Sequence, residues 1–210
     1  MRKQAEHYHA CLLRAGIKHP VMIGGSSYGG LVCYELDRLY RQSGHKSSLV
    51  VLFDSPGPGH MPERIESEAE ICAYVISSDA EGEDFAACLA RMQALDHESR
   101  FALLLEFTRK GLMPDATAED LERLIRVFRQ NLANMWNWVP QPHDARLFFC
   151  KAMQHTSVLA RDPELAWVPL AGGGIEILPV PGDHSSMLSF PHVKILAKEV
   201  NRRLSAAHNA

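Results

Sequence analysis

The sequence predicts an α/β domain: a mostly parallel sheet with a block of helices inserted as a lid. Two observations carry that expectation. Residues 49–53 (LVVLF) form a continuous apolar run, the pattern of a strand buried on both faces of a parallel sheet. Between residues 56 and 142 the spacing is helical and holds no convincing strand, and about 90 residues is far too long for a crossover. The chain therefore reads as one domain over residues 1–210, with 56–142 lying across the carboxyl edge of the sheet.

Each element has its own signal. Residues 4–15 read as a helix with Ala5, Tyr8, Cys11 and Leu12 on one side, stopped by Gly16. His7 and His9 lie two apart, so a helix points them to different sides, as surface histidines rather than metal ligands. Residues 21–23 (VMI) make a short strand that Gly24 and Gly25 end. Leu31, Tyr34, Leu36 and Leu39 give a helix closing near Gly44. The strand at 49–53 ends abruptly in Asp54-Ser55-Pro56.

Inside the insertion, residues 66–77, 83–95 and 99–110 carry apolar residues at helical spacing. A fourth helix is clearest. Thr117 and Asp120 form its cap, and Leu121, Leu124, Ile125, Phe128, Leu132 and Met135 make one stripe. Arg123 and Arg126 follow Glu119 and Glu122 by four residues, so with Arg129 they read as a self-paired, solvated face. Trp136 and Trp138 close this helix, either lining a substrate channel or packing the insertion on the core. Strand character returns at 146–151 (RLFFCK) and 175–180 (IEILPV), and 193–204 form a closing amphipathic helix. The glycines at 172–174 precede a strand rather than a helix, which makes them a turn and not a phosphate cradle.

Composition narrows the function. A net charge of −3 gives no reason to expect nucleic acid or an anionic membrane as partner, and no apolar run approaches a membrane span. The cysteines Cys11, Cys33, Cys72, Cys88 and Cys150 are scattered and odd in number, without a C-x-x-C pair. That pattern predicts reduced thiols in a cytoplasmic setting and neither a disulfide framework nor a metal cage.

The chemistry centres on residues 25–29, GSSYG, which in this register is G-x-S-x-G with Ser27 as candidate nucleophile. A serine on a strand-to-helix turn needs small neighbours, here Gly25 and Gly29, because the backbone must crowd in beside it. The first turn of the following helix aims N–H groups at a developing oxyanion, and the N–H of Tyr28 is the candidate donor. Ser27, Asp54 and His184 each follow the carboxyl end of a predicted strand, where loops distant in sequence become neighbours. Ser–Asp–His is the chain order of an α/β-hydrolase. The serine needs an imidazole to take its proton, and the imidazole needs a carboxylate to hold its tautomer. Asp162 is the next choice for the acid. Asp144 precedes a strand, and Asp183 adjoins His184 and is poorly placed to face it.

At these residues the chain resembles the thioesterase domains that terminate non-ribosomal peptide and polyketide synthases. The resemblance is carried by GGSSYGGLVCYEL at 24–36, LVVLFDSPGPG at 49–59, NMWNWVPQPHDARLFFCKA at 134–152, Trp167, and GGIEILPVPGDHSSML at 173–188. It implies Asp54 as the acid, since in stand-alone editing relatives the acid comes one strand later. It also implies an acyl or peptidyl chain delivered on a carrier protein's 4'-phosphopantetheine, passed to Ser27 as an ester, and released by water or an internal nucleophile, with no cofactor bound. Other readings remain open: an editing thioesterase, a small-ester esterase, or an impaired remnant that binds acyl chains or a carrier. Proteins of this kind begin with several strands before the elbow, whereas only about 20 residues precede it here, an expected shortfall of at least two βα units. The expected consequences are an exposed edge on the Ser27 strand that invites self-association, and an oxyanion hole short of one donor, which costs ~3 to 4 kcal/mol.

Overall fold

In a computed structural model the chain is described over residues 1–17, 21–45, 47–59, 64–78, 84–111, 113–154 and 162–208. Four parallel strands form one sheet in the order β1 (Val21–Ser26), β2 (Ser47–Phe53), β3 (Leu147–Ala152) and β4 (Ile175–Val180). The apolar runs explain the two central strands. Along β2, Val50 and Leu52 enter one core with Leu31, Tyr34, Phe149 and Trp167. Leu49 and Val51 enter another with Phe148, Val180 and Leu196. Alternate residues thus bury on opposite faces, as a parallel sheet covered on both sides requires. The expected α/β architecture is present.

β1 is the edge strand, paired with β2 from Val21 to Ser26. Gly24 and Gly25 do not end it, as the sequence suggested; they sit opposite Val51 and Leu52 within the ladder. Its neighbours on one face are α1 (Arg2–Arg14) and α2 (Tyr28–Gln42), which share a small core of Ala5, Ile23, Val32 and Leu36. Ala5 is buried there, but Tyr8, expected on the same side, is 52% exposed because α1 covers only a narrow strip of α2.

Among the described residues four helices lie between β2 and β3: α3 (Glu68–Ser77), α4 (Phe85–Ala94), α5 (His97–Gly111) and α6 (Ala118–Trp136). Parts of the 56–142 stretch, including Glu83 at the expected start of α4, fall outside the described residues. The Thr117–Asp120 capping box forms: each side chain accepts the other's backbone N–H. Of the α6 stripe, Leu121, Leu132 and Met135 are buried while Leu124 is 40% exposed, so part of it lacks an inner partner. Arg123 and Arg126 pair with Glu119 and Glu122 at 3.6 and 3.8 Å on the outer face, as their spacing predicted. Trp138 packs against Tyr34 and Trp167 and donates to Glu35 at 2.9 Å, which fastens the end of the insertion to the core. The closing helix α7 (Val193–His208) runs beyond its expected end at 204. Among the described residues no helix is long and apolar enough to cross a membrane, and all five cysteines are free thiols.

Candidate active site

Strand register sets the site. Ser26 lies opposite Phe53, and Phe53 opposite Cys150, so β1 and β2 end at one level while β3 continues to Ala152. Ser27 is the residue after β1. Its φ of 50° lies in the left-handed region that a residue with a Cβ rarely adopts. Two features hold it there. Its N–H donates to the Phe53 carbonyl at 3.1 Å, and its own carbonyl accepts from Gly30 at 3.0 Å. Although Ser27 is the N-cap of α2, its side chain makes no capping bond, which leaves Oγ available for chemistry.

The tight turn depends on glycine at two positions. A Cβ on Gly25 would lie 2.4 Å from the Gly29 carbonyl, so the expectation for Gly25 has a direct steric cause. A Cβ on Gly30 would meet Ser55 Oγ at 1.9 Å, because the start of α2 presses onto the chain leaving β2. At Gly29 a Cβ would meet nothing within 4 Å. The crowding assigned to Gly29 thus falls instead on Gly30, which the five-residue pattern did not include. Tyr28 opens α2, and among the described residues its N–H has no acceptor, as the first turn of a helix leaves it.

Asp54 follows β2 and also has a positive φ, 46°. The turn is fixed by its N–H donating to Cys150 at 2.8 Å, and it buries the carboxylate beside the end of β3. There Oδ1 accepts the Ala152 N–H at 3.0 Å and Oδ2 accepts from His184 Nδ1 at 2.9 Å. Both oxygens are thereby directed. No sequence signal pointed to the Ala152 N–H, since a backbone donor carries no residue code.

His184 follows β4 on a loop whose shape is also accounted for. Gly182 takes φ +95°, Gln154 N–H donates to its carbonyl at 2.9 Å, and Asp183 Oδ1 accepts the N–H groups of Ser185 and Ser186. Asp183 is therefore a loop brace beside His184. Asp162 instead meets Lys151 Nζ at 2.6 Å, and the same ammonium reaches Glu164 at 2.6 Å. Of the aspartates considered, Asp54 is the one joined to His184. Because Nδ1 faces the carboxylate, Nε2 is the nitrogen left for another partner. Among the described residues Ser27 Oγ makes no hydrogen bond to it; such contacts are often loose without substrate.

The remaining sequence candidates lie elsewhere. His9 meets Ser43 Oγ at 2.8 Å and His7 meets Cys11 Sγ at 3.8 Å, both on the surface of α1 and α2. The triglycine turn lets two backbones touch: a Cβ on Gly172 would lie 2.7 Å from the His143 carbonyl, and one on Gly173 2.9 Å from that of Ala145.

Known proteins are similar to this chain in sequence or in fold. Over 192 residues the sequence is 27% identical to an orsellinic acid synthase of Beauveria bassiana (strain ARSEF 2860), covering 82% of this chain and 8% of that protein. The fold matches holo-AB3403, a four-domain nonribosomal peptide synthetase, with a TM-score of 0.79 at 20% identity, over 96% of this chain and 16% of that one. It also matches the Vlm2 thioesterase domain at TM-score 0.65 and 22% identity, over 94% and 74% of the two chains. The RedJ thioesterase of Streptomyces coelicolor matches at 0.66 and 19%, over 97% and 71%. The chain thus spans a small fraction of the orsellinic acid synthase and of the four-domain synthetase, and most of the Vlm2 and RedJ chains. A family model for the thioesterase domain runs through residues 1–204, from α1 across all four strands into α7, and on that match the chain belongs to the thioesterase family.

Proposed function

We propose that this domain releases an acyl chain from the phosphopantetheine thioester of a carrier protein, in polyketide or non-ribosomal peptide synthesis in the cytoplasm. The observation that carries the reading is the 2.9 Å contact of His184 Nδ1 with Asp54 Oδ2, one strand along from a serine held at φ 50°. In this reading Ser27 Oγ attacks the thioester carbonyl and gives its proton to His184 Nε2. Asp54 keeps the proton on Nδ1 and stabilises the imidazolium. The tetrahedral oxyanion takes the Tyr28 N–H at the start of α2. Collapse breaks the carbon–sulfur bond, and the thiolate leaves with the proton held on Nε2. Water or a nucleophile within the chain, deprotonated by the same nitrogen, then displaces Ser27 and yields a free acid or a ring. No cofactor is needed, because the electrophile arrives already activated as a thioester. The inserted helices serve as the lid over this rim.

Membership of the thioesterase family supports the reaction class, and the resemblance to synthase domains supports the carrier. Labelling with a fluorophosphonate probe tests the residues. The wild-type chain is expected to label at one serine, and Ser27→Ala and His184→Ala to stay unlabelled. Label that persists in Ser27→Ala overturns the assignment. Faster turnover of acyl-pantetheine than of nitrophenyl esters separates this reading from a small-ester esterase.

A further inference from the structure

We propose that Lys151, through its ion pair with Glu164, is a positioning residue for the Asp54–His184 pair. The inference rests on the acyl-serine reading above and names a group on which the acid of that reading depends. It begins with the backbone at the end of β3. The ladder with β2 stops where Phe53 lies opposite Cys150, so residues 151–154 run on without β2 beside them. This stretch nevertheless holds both sides of the pair. The Cys150 carbonyl accepts the Asp54 N–H at 2.8 Å, and the Ala152 N–H donates to Asp54 Oδ1 at 3.0 Å. Met153 and Gln154 donate to the Val180 and Gly182 carbonyls at 3.0 and 2.9 Å, on the chain that leads to His184. The spacing of acid and base therefore follows from where residues 150–154 lie.

Lys151 tethers that stretch. By strand alternation it falls on the same face as Leu147 and Phe149, which enter the core with Trp167. Its ammonium reaches Glu164 Oε1 and Asp162 Oδ1, each at 2.6 Å. The Asp162 side chain is 58% exposed, so water screens its share, whereas those of Lys151 and Glu164 are 17% and 9% exposed. Glu164 belongs to a tight turn, Pro163–Ala166, that presses on the chain leaving β2. A Cβ on Gly57 would lie 2.2 Å from Ala166 Cβ, and Trp167 Nε1 donates to the Ser55 carbonyl at 2.9 Å. The contacts close a circuit. It runs from Asp54 through 55–57 to the turn, across the ion pair to Lys151, and through Ala152 back to the Asp54 carboxylate.

Stability alone does not explain the pair. Two buried ions gain little over an apolar pair of the same volume, because desolvation offsets their attraction. Glu164 Oε2 is also buried with no hydrogen-bond partner among the described residues, which costs more. What such a pair supplies is one fixed direction for the end of β3. Burial opposes charge on Lys151, but the two carboxylates outweigh it and hold its pKa above the ordinary 10.5, so the tether stays charged at neutral pH.

Fluorophosphonate labelling per folded molecule tests the proposal. Lys151→Met alone strands the Glu164 charge, so it is combined with Glu164→Gln, which leaves no buried ion unpaired. That double variant is expected to label about 10- to 100-fold more slowly than wild type. Lys151→Arg, which restores a cation, is expected to stay within about threefold. With acetyl-pantetheine the loss should fall on kcat, with KM within about twofold. Added to Asp54→Asn, the double change should slow labelling no further, because it acts through Asp54. One readout needs no catalysis. The downfield proton resonance of His184 Nδ1–H, expected in wild type and absent in Asp54→Asn, should weaken or move in the double variant. A double variant that labels at the wild-type rate, or that slows Asp54→Asn protein by the same factor, overturns the proposal. If the wild-type chain neither labels nor turns over thioester, the reaction reading fails, and the His184 resonance alone decides whether Lys151 holds the pair.

Discussion

Two aspartate–histidine pairs, Asp54–His184 at the carboxyl end of the sheet and Asp37–His143 at its amino end, share a contact distance of 2.9 Å and differ in everything around it. Asp37, on α2, is saturated. It accepts from Arg41 Nε and the Ser47 hydroxyl as well as His143 Nε2, and its side chain is fully buried. The other face of the cluster is closed too: the His143 ring lies against Tyr34 with centroids 4.4 Å apart. Asp54 has no lysine or arginine in contact among the described residues, and no hydrogen bond among them occupies Nε2 of its histidine. One pair is closed by a cation and ties α2 to the chain entering β3. The other carries its histidine on the loop after β4. An aspartate–histidine contact is thus no mark of catalysis by itself; the unfilled nitrogen and the serine at positive φ after the adjoining strand are what support the proposed site.

Breaking each pair should separate the two roles. Asp54→Asn retains the shape but favours the wrong imidazole tautomer, and the expected loss is about 10⁴-fold in turnover or fluorophosphonate labelling rate. Its denaturation midpoint should move far less than that of Asp37→Ala. The latter leaves a half-buried guanidinium and an imidazole without their carboxylate, with an expected loss of about 3 kcal/mol in urea denaturation and an unchanged labelling rate per folded molecule. An Asp37→Ala protein as stable as wild type, or an Asp54→Asn protein as active, would erase the contrast.

The two pairs were also unequally legible. Asp54 and His184 follow apolar runs, so the ends of β2 and β4 pointed to them before any contact was known. Asp37 lies mid-helix between Glu35 and Arg38, where a charged residue reads as solvent-facing, and His143 lies in a connection 106 residues away. Only the approach of α2 to the start of β3 brings them together. The elbow was legible in its register and less so in its packing. The crowded glycine beyond the serine is Gly30 rather than Gly29, because α2 leans on Ser55, and that contact belongs to tertiary structure. The exposure of Leu124 on the α6 stripe was unreadable for a similar reason: periodicity gives a face and not its partner.

Acid sharpens the contrast further. Burial opposes charge on Asp37, but the hydrogen bonds from His143, Ser47 and Arg41 outweigh it and hold the carboxyl below its ordinary value of 3.8. A carboxylate depressed in the folded state stabilises the fold fully above its unfolded pKa and loses that contribution as pH falls through the folded value. The stability difference between wild type and Asp37→Asn should therefore be constant near neutrality and shrink below about pH 4. A difference that grows on acidification would reverse the sign and remove the carboxylate as its source.

The smallest expected effect concerns the wall of the closed pair. The Tyr34 hydroxyl lies 2.9 Å from the Leu170 carbonyl and 3.0 Å from that of Gln141, two residues before His143. A single proton serves two acceptors, so Tyr34→Phe removes one donor and leaves the Leu170 carbonyl short in a buried place. The ring stays, and with it the contacts to His143, Trp138 and Trp167. The expected cost is about 1 to 2 kcal/mol, the ordinary penalty for an orphaned buried acceptor. Nothing at the carboxyl rim touches this hydroxyl, so labelling of Ser27 should proceed at the wild-type rate. In the Asp37→Ala background the 141–143 segment is already released, and the same change should cost measurably less. Equal costs in the two backgrounds would mean that Tyr34 and Asp37 act separately, and that the amino-terminal pair is not one cluster.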